Sequence, residues 1–348
     1  MAALDNLKST LSDTQEMLAA TSYIGKGLST AALAIFLLIG VTGYIWDHEP
    51  GTFNVAESTE ALTSQSQVAQ VTGSATIATM IQLADTLLHK RGGYLTNDIM
   101  PPSIWMDNVP NWEFGVIVQL RDMARTLRNN ISRSQSQSTE DEGLVTTENQ
   151  FYFDNDTWLL PETEAEYEKG IASLEDYLIR LGNPNQRSAQ FYARADNLRI
   201  WLGEVETRLG SLSQRLSASV GKRQLDTSLA GETAARQSTE TRADIEVKTA
   251  WTELDDVFYQ ARGTTWALIH LLQAVEIDFH DVLQKKNALI SLQQIIRELE
   301  PTQDTLWSPV ILNGSGLGVV ANHSLIMASH ISRANAAIID LRRLLEEG

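Results

Sequence analysis

Hydrophobic residues fall in two distinct patterns along this chain. The first is continuous: residues 27–46, GLSTAALAIFLLIGVTGYIW, hold no charged side chain. As an α-helix this run rises about 30 Å, the thickness of a bilayer's hydrocarbon core. It predicts a single transmembrane helix over 23–46. A secretory signal has an apolar core of about 7–15 residues and a small-residue cleavage site. Here the core is longer, and the residues that follow are Asp47, His48, Glu49 and Pro50. The reading is an uncleaved anchor, with Tyr23, Tyr44 and Trp46 suited to the two headgroup interfaces.

Beyond the span the pattern becomes helical. Residues 47–72 are rich in Ser, Thr, Gln, Ala and Glu and read as a partly helical linker. Ile77, Ile81, Ala84 and Leu88 predict a helix that stops at Gly92-Gly93. Prolines 101, 102 and 110 interrupt the chain, and a helix is expected from about Glu113 to Ser132. Residues 134–149 read as a polar loop, and 151–160 as a short extended segment. Thr163 and Glu166 have capping-box spacing, opening a helix that ends at Gly182. Phe191, Ala195, Leu198, Leu202, Val205, Leu209, Leu212 and Leu216 alternate four and three apart. That is a heptad seam, open to a helix of the same chain or to a second copy in a homodimer.

Residues 221–244 carry few large apolar side chains and read as a hairpin connection or a polar helical extension. A long helix is expected over 245–299, breaking near Gly263, with Trp251, Phe258, Trp266, Leu272, Phe279, Leu283 and Ile296 buried. After a loop at 307–318, a last helix over 322–345 buries Leu325, Ala328, Ile331, Ile338, Leu341 and Leu345. The fold class is therefore all-α: one transmembrane helix, then an elongated helical bundle with coiled-coil-like packing. The expected organisation is a short segment at 1–22, the span at 23–46, the linker at 47–72 and a helical domain at 73–348. Leu4, Leu7, Leu11 and Leu18 lie near one helical face of the first segment. It is either an amphipathic helix on the membrane surface or a continuation of the span.

Charge adds an orientation. Lys8 and Lys26 precede the span, and no Lys or Arg follows until Lys90. Basic residues near a span set its direction, so 1–22 is expected in the cytoplasm and the bulk outside it, in the periplasm. The net charge of −17 repels nucleic acid, and no nucleic-acid partner is expected. With no cysteine there is neither a disulfide nor a thiolate site.

The stretch RGGYLTNDIMPPSIWMDNVPNWEFGVIVQLRDMARTLRNNISRSQSQSTEDE at 91–142, with FDNDTWLLP at 153–161, resembles the hallmark region of a bacterial family catalogued as domain of unknown function 2333. The resemblance covers nearly the whole chain. It implies a Gram-negative envelope protein anchored in the inner membrane, and it carries no activity, cofactor or catalytic residue.

Candidate chemistry is sparse. Arg121, Arg125 and Arg128 are spaced four and three apart on one helix side, where they could hold an anion or pair with acids of a neighbouring helix. Tyr94, Trp105, Trp112 and Trp158 lie among prolines and could form a ligand surface or plug the end of a bundle. His270, Glu276, Asp278 and His280 fall within eleven residues of one expected helix, but only Glu276 and His280 are spaced to share a metal, His270 points elsewhere by helical phase, and two ligands make no metal site. Asp154, Asn155 and Asp156 start like a calcium loop, but Leu159 stands where an EF-hand needs Gly. Gly314, Gly316 and Gly318 lack the P-loop lysine and read as a turn. No catalytic triad order or zinc-protease motif occurs, so no metal, cofactor or catalytic residue is assigned. The sequence points to a structural or interaction protein of the envelope, bound to the inner membrane and to an envelope protein partner. A ligand sensor and an envelope enzyme are the alternatives.

Overall fold

The computed structural model describes residues 26–134, 139–185, 188–225 and 244–347. The amphipathic-helix expectation at residues 4–18 lies outside them, as does Lys8. The fold is all-α apart from two short antiparallel strands. The apolar run forms helix α1 (Lys26–Trp46), whose side chains are largely exposed. Then come α2 (Val55–Gln65), α3 (Ser74–His89), α4 (Asn108–Thr126), α5 (Glu142–Phe151), α6 (Thr163–Gly182) and α7 (Ala195–Ser217). Strands β1 (Lys222–Leu225) and β2 (Asp244–Val247) pair with Lys222 opposite Val247. The chain ends with α8 (Leu254–Asp278), α9 (His280–Lys285), α10 (Leu289–Leu299) and α11 (His323–Glu347).

Residues 47–72 connect α1 to the bundle as a docked strap followed by α2, which Asn54 caps by accepting from the N–H groups of Ala56 and Glu57. Helix α3 starts at Gly73, which offers no side chain for a cap. Asp278, at the end of α8, replaces it by accepting from Gly73 N and Thr76 N, both at 2.7 Å. The apolar stripe of α7 is buried within the single chain, largely against α11, and Leu198, Leu202, Val205, Leu209 and Leu216 are at most 1% exposed.

Several local expectations change. Helix α4 begins at Asn108, before Glu113, because Pro110 lies in its first turn, where no intrahelical N–H is needed. It closes in a wider π-turn over Leu127–Ile131. The expected polar loop contains α5, capped by Asp141 and burying Leu144, Thr147 and Phe151. Its stripe is only three residues wide, so the polar composition hid it. Residues 153–161 form turns rather than an extended segment. Thr163 does not make a capping box. Its hydroxyl donates to the carbonyls of Asp154 and Thr157 and accepts from Thr157 N, stapling that loop.

The long C-terminal helix is unbroken at Gly263. A Cβ there would lie 2.0 Å from Trp112 O, so the glycine serves close packing of α8 on α4. The breaks come at Phe279 and at Asn287, whose φ is +52°. Trp251, expected in the core, is 85% exposed.

One end of the bundle meets α1. Helices α4, α6, α8 and α11 run away from that end, while α3, α5, α7 and α10 run towards it. Ties at the near end include Asn111 to Asp256 at 2.8 Å and the Phe258 and His323 rings at 6.3 Å. At the far end Asp278 caps α3, and Phe191 meets Phe279.

Candidate functional site

A set of buried polar contacts lies where α1 enters the bundle. Arg262, Trp266 and His270 are spaced by four, so they form one stripe along α8. Each grips the strap that leaves α1. The Arg262 guanidinium pairs with the Glu49 carboxylate at 2.6 Å and also donates to the carbonyls of Thr302 and Asp304. Trp266 donates from Nε1 to Gly51 O at 3.1 Å. His270 accepts at Nε2 from Phe53 N at 3.0 Å, which leaves Nδ1 to donate to Trp266 O at 2.7 Å. The Phe53 ring stacks on the imidazole with centroids 3.9 Å apart.

This environment dictates protonation. Burial lowers the His270 pKa to about 4, and an imidazolium would also point an Nε2 proton at the Phe53 N–H. Burial raises the Glu49 carboxyl above the usual range, against the opposing pull of Arg262.

A second knot holds the loop after α3. Glu113 is fully buried and paired with Lys90. Its two oxygens also accept from Leu95 N and Thr96 N, each at 2.9 Å. The loop wraps the carboxylate because Gly92 and Gly93 adopt φ of +89° and +75°. Gly92 then lies against the Trp46 indole: a Cβ on it would come within 2.7 Å of that ring. Likewise a Cβ on Gly43 would come within 3.2 Å of Pro102 Cβ. The last turn of α1 is thus seated on the loop.

The arginine stripe is hydrogen-bonded to the protein itself. Arg121 donates to Phe151 O at 2.6 Å and Phe153 O at 2.8 Å, Arg125 meets Asp122 and the Tyr152 hydroxyl, and Arg128 meets Glu140 and Glu148. The aromatic set divides. Tyr94 and Trp112 lie in the core, with the Tyr94 hydroxyl donating to Asn155 O, whereas Trp105 and Trp158 are 66% and 52% exposed. Glu276 accepts from Gln293, and no group of three or more His, Cys, Asp or Glu able to hold a metal occurs among the described residues.

A cleft of about 490 Å³ opens at the junction, lined by His48, Glu49, Asp85, His89, Lys90 and Arg91. The arrangement fixes the exit of α1 against the bundle; no nucleophile with a partnered base is assembled at it. From sequence, Trp266 was expected only as a buried position and His270 was set aside as a metal ligand; neither was read together with Arg262, Glu49 or Phe53. The four-residue spacing of Arg262, Trp266 and His270 was a visible signal, but their partners lie more than two hundred positions away.

A model of a family described as an uncharacterized protein conserved in bacteria (DUF2333) matches residues 19–348. No curated protein and no solved structure matches the chain.

Proposed function

The chain belongs to this bacterial family, and from that premise we propose that it is a membrane-anchored structural or interaction protein of the cell envelope. In this reading α1 crosses the inner membrane, residues 1–22 face the cytoplasm and the bundle stands in the periplasm. The observation that carries it is the junction. A helix apolar enough to cross a membrane leaves nearly all of its surface exposed, while its exit strap is gripped by Arg262, Trp266 and His270. A tether needed only for attachment gains nothing from such a grip. A rigid mount, which fixes the direction of helical surfaces offered to a partner, does.

The absence of cysteine allows a direct test. Ile200→Cys places one thiol on an exposed part of α7. A membrane-impermeant maleimide should label it in cells with a permeabilised outer membrane; labelling only after lysis overturns the orientation. In-cell crosslinking of the full chain, with affinity purification and mass spectrometry, should then recover a stoichiometric envelope protein. Recovery of the chain alone as a crosslinked pair would replace the heterologous partner with a homodimer.

The second reading, a ligand sensor, draws on the cleft of about 490 Å³ beside the strap. A small molecule held by His89 and Arg91 there would act next to the exit of α1. It predicts a rise in unfolding temperature with small anionic envelope compounds. No such rise across a panel of those compounds sinks it.

A further inference from the structure

Outside α1, the large apolar side chains that are more than half exposed are not scattered over the described residues. With the exception of Ile290, they lie at the end of the bundle where α1 joins. Met100, Ile104 and Trp105 belong to the loop whose Pro102 packs on Gly43 of the span. Trp158 and Leu160 belong to the next loop, tied to the first by Asn97 donating to Thr157 O at 2.9 Å. Trp307 and Leu317 follow the turn that Arg262 holds together with Glu49. Three loops from distant parts of the sequence thus present bare apolar tips around the point where the span leaves the bundle. Soluble surfaces rarely gather such patches without something to cover them.

We propose that this end of the bundle rests on the bilayer, with the tips of these three loops inserted into the headgroup interface around α1. The proposal rests on the reading of α1 as a membrane span. The occupant follows from that contact. Pro102 packs at Gly43, about one turn before Trp46, so this loop reaches past the interfacial end of the span towards the lipid. Trp105, Trp158 and Trp307 are the side chains best suited to the depth where headgroups meet acyl chains. Asp98, Asp107, Asp154 and Asp156 flank the first two loops. The seat therefore relies on apolar insertion rather than on attraction to anionic lipid. The result is a bundle with a fixed tilt relative to the membrane.

The test uses the full chain in phosphatidylcholine vesicles, with single cysteines carrying an environment-sensitive fluorophore and nitroxide-bearing lipids as quenchers. Labels at Ile104→Cys and Leu317→Cys should shift to the blue and be quenched by the lipid nitroxide, as should one at Leu37→Cys within α1. A label at Ile200→Cys, on the first turns of α7 at the far end, should stay aqueous and unquenched. If Leu37→Cys is quenched while either loop label behaves like the one at Ile200→Cys, the seat is overturned and the anchor stands. If Leu37→Cys is itself aqueous, the anchor reading fails and takes the seat with it.

Discussion

The main-chain N–H of Phe53 donates to Nε2 of His270 across 217 positions of sequence, and the two rings stack over that bond. The contact fixes the imidazole as the neutral tautomer protonated at Nδ1. It also makes the strap leaving α1 sensitive to acid.

An unfolded histidine titrates near pH 6.5, whereas His270 is lowered to about 4. Between those values the unfolded chain binds a proton that the folded chain refuses. Stability is therefore complete above about pH 6.5 and falls as the pH drops towards 4. The gap corresponds to roughly 3 kcal/mol. His270→Gln keeps an acceptor for Phe53 N and removes the titration. Unfolding of the full chain in detergent, followed from pH 7.5 to 4.5, should show a shallower acid loss for the variant. Equal slopes in the two proteins would sink the assignment.

The Glu49–Arg262 pair predicts strong coupling. Both side chains are nearly buried, and losing one partner leaves the other desolvated. Arg262→Met should cost roughly 3 kcal/mol or more, partly because the Thr302 and Asp304 carbonyls also lose a donor. Glu49→Gln combined with Arg262→Met should cost less than the sum of the two changes. A double-mutant cycle that closes additively contradicts this account.

Glu113 is expected to be the most sensitive single position in the loop that seats Trp46. Its removal in Glu113→Ala strands the Lys90 ammonium and frees two buried N–H groups. A loss of roughly 3–5 kcal/mol follows. Limited proteolysis should show new cleavage within 92–106 before any global unfolding, and an unchanged digestion pattern would count against the knot.

Glycines in the same fold should respond with opposite signs. A Cβ on Gly115 would sit 2.3 Å from Gln260 O, in the tight crossing of α4 and α8. Gly115→Ala should therefore destabilise by roughly 1–3 kcal/mol or more. At Gly210, within α7, the nearest atom to an added Cβ is 3.6 Å away. Gly210→Ala should stabilise by up to about 1 kcal/mol through helix propensity. Denaturant midpoints of the two variants, falling on opposite sides of the parent, are the check.

Much of the helical architecture was legible in the sequence, because the signals involved are local. An unbroken apolar run yields α1, Gly182 ends α6, the alternation within α7 from Leu198 on is buried as expected, and α11 buries Ala328, Ile331, Ile338, Leu341 and Leu345 while Leu325 is only half-buried. Failures came where a local signal was ambiguous. Gly263 suggested a break, but a glycine also permits two helix backbones to touch, and only the position of Trp112 decides between these uses. Trp251 matched a buried helical phase yet precedes the helix and stands exposed.

The candidate site divides along the same line. The arginine spacing and the aromatic-rich loops could be read directly, because covalent order places them together. Tertiary structure alone decided that Arg121, Arg125 and Arg128 have acceptors within the chain, and that Trp105 and Trp158 emerge while Trp112 does not. It alone brought Glu49 to Arg262, Phe53 to His270 and Pro102 to Gly43. The physical reason is range. Periodicity and turn chemistry act over a few residues, whereas the partner of a buried charge, or of a bare apolar tip, is set by how whole helices pack.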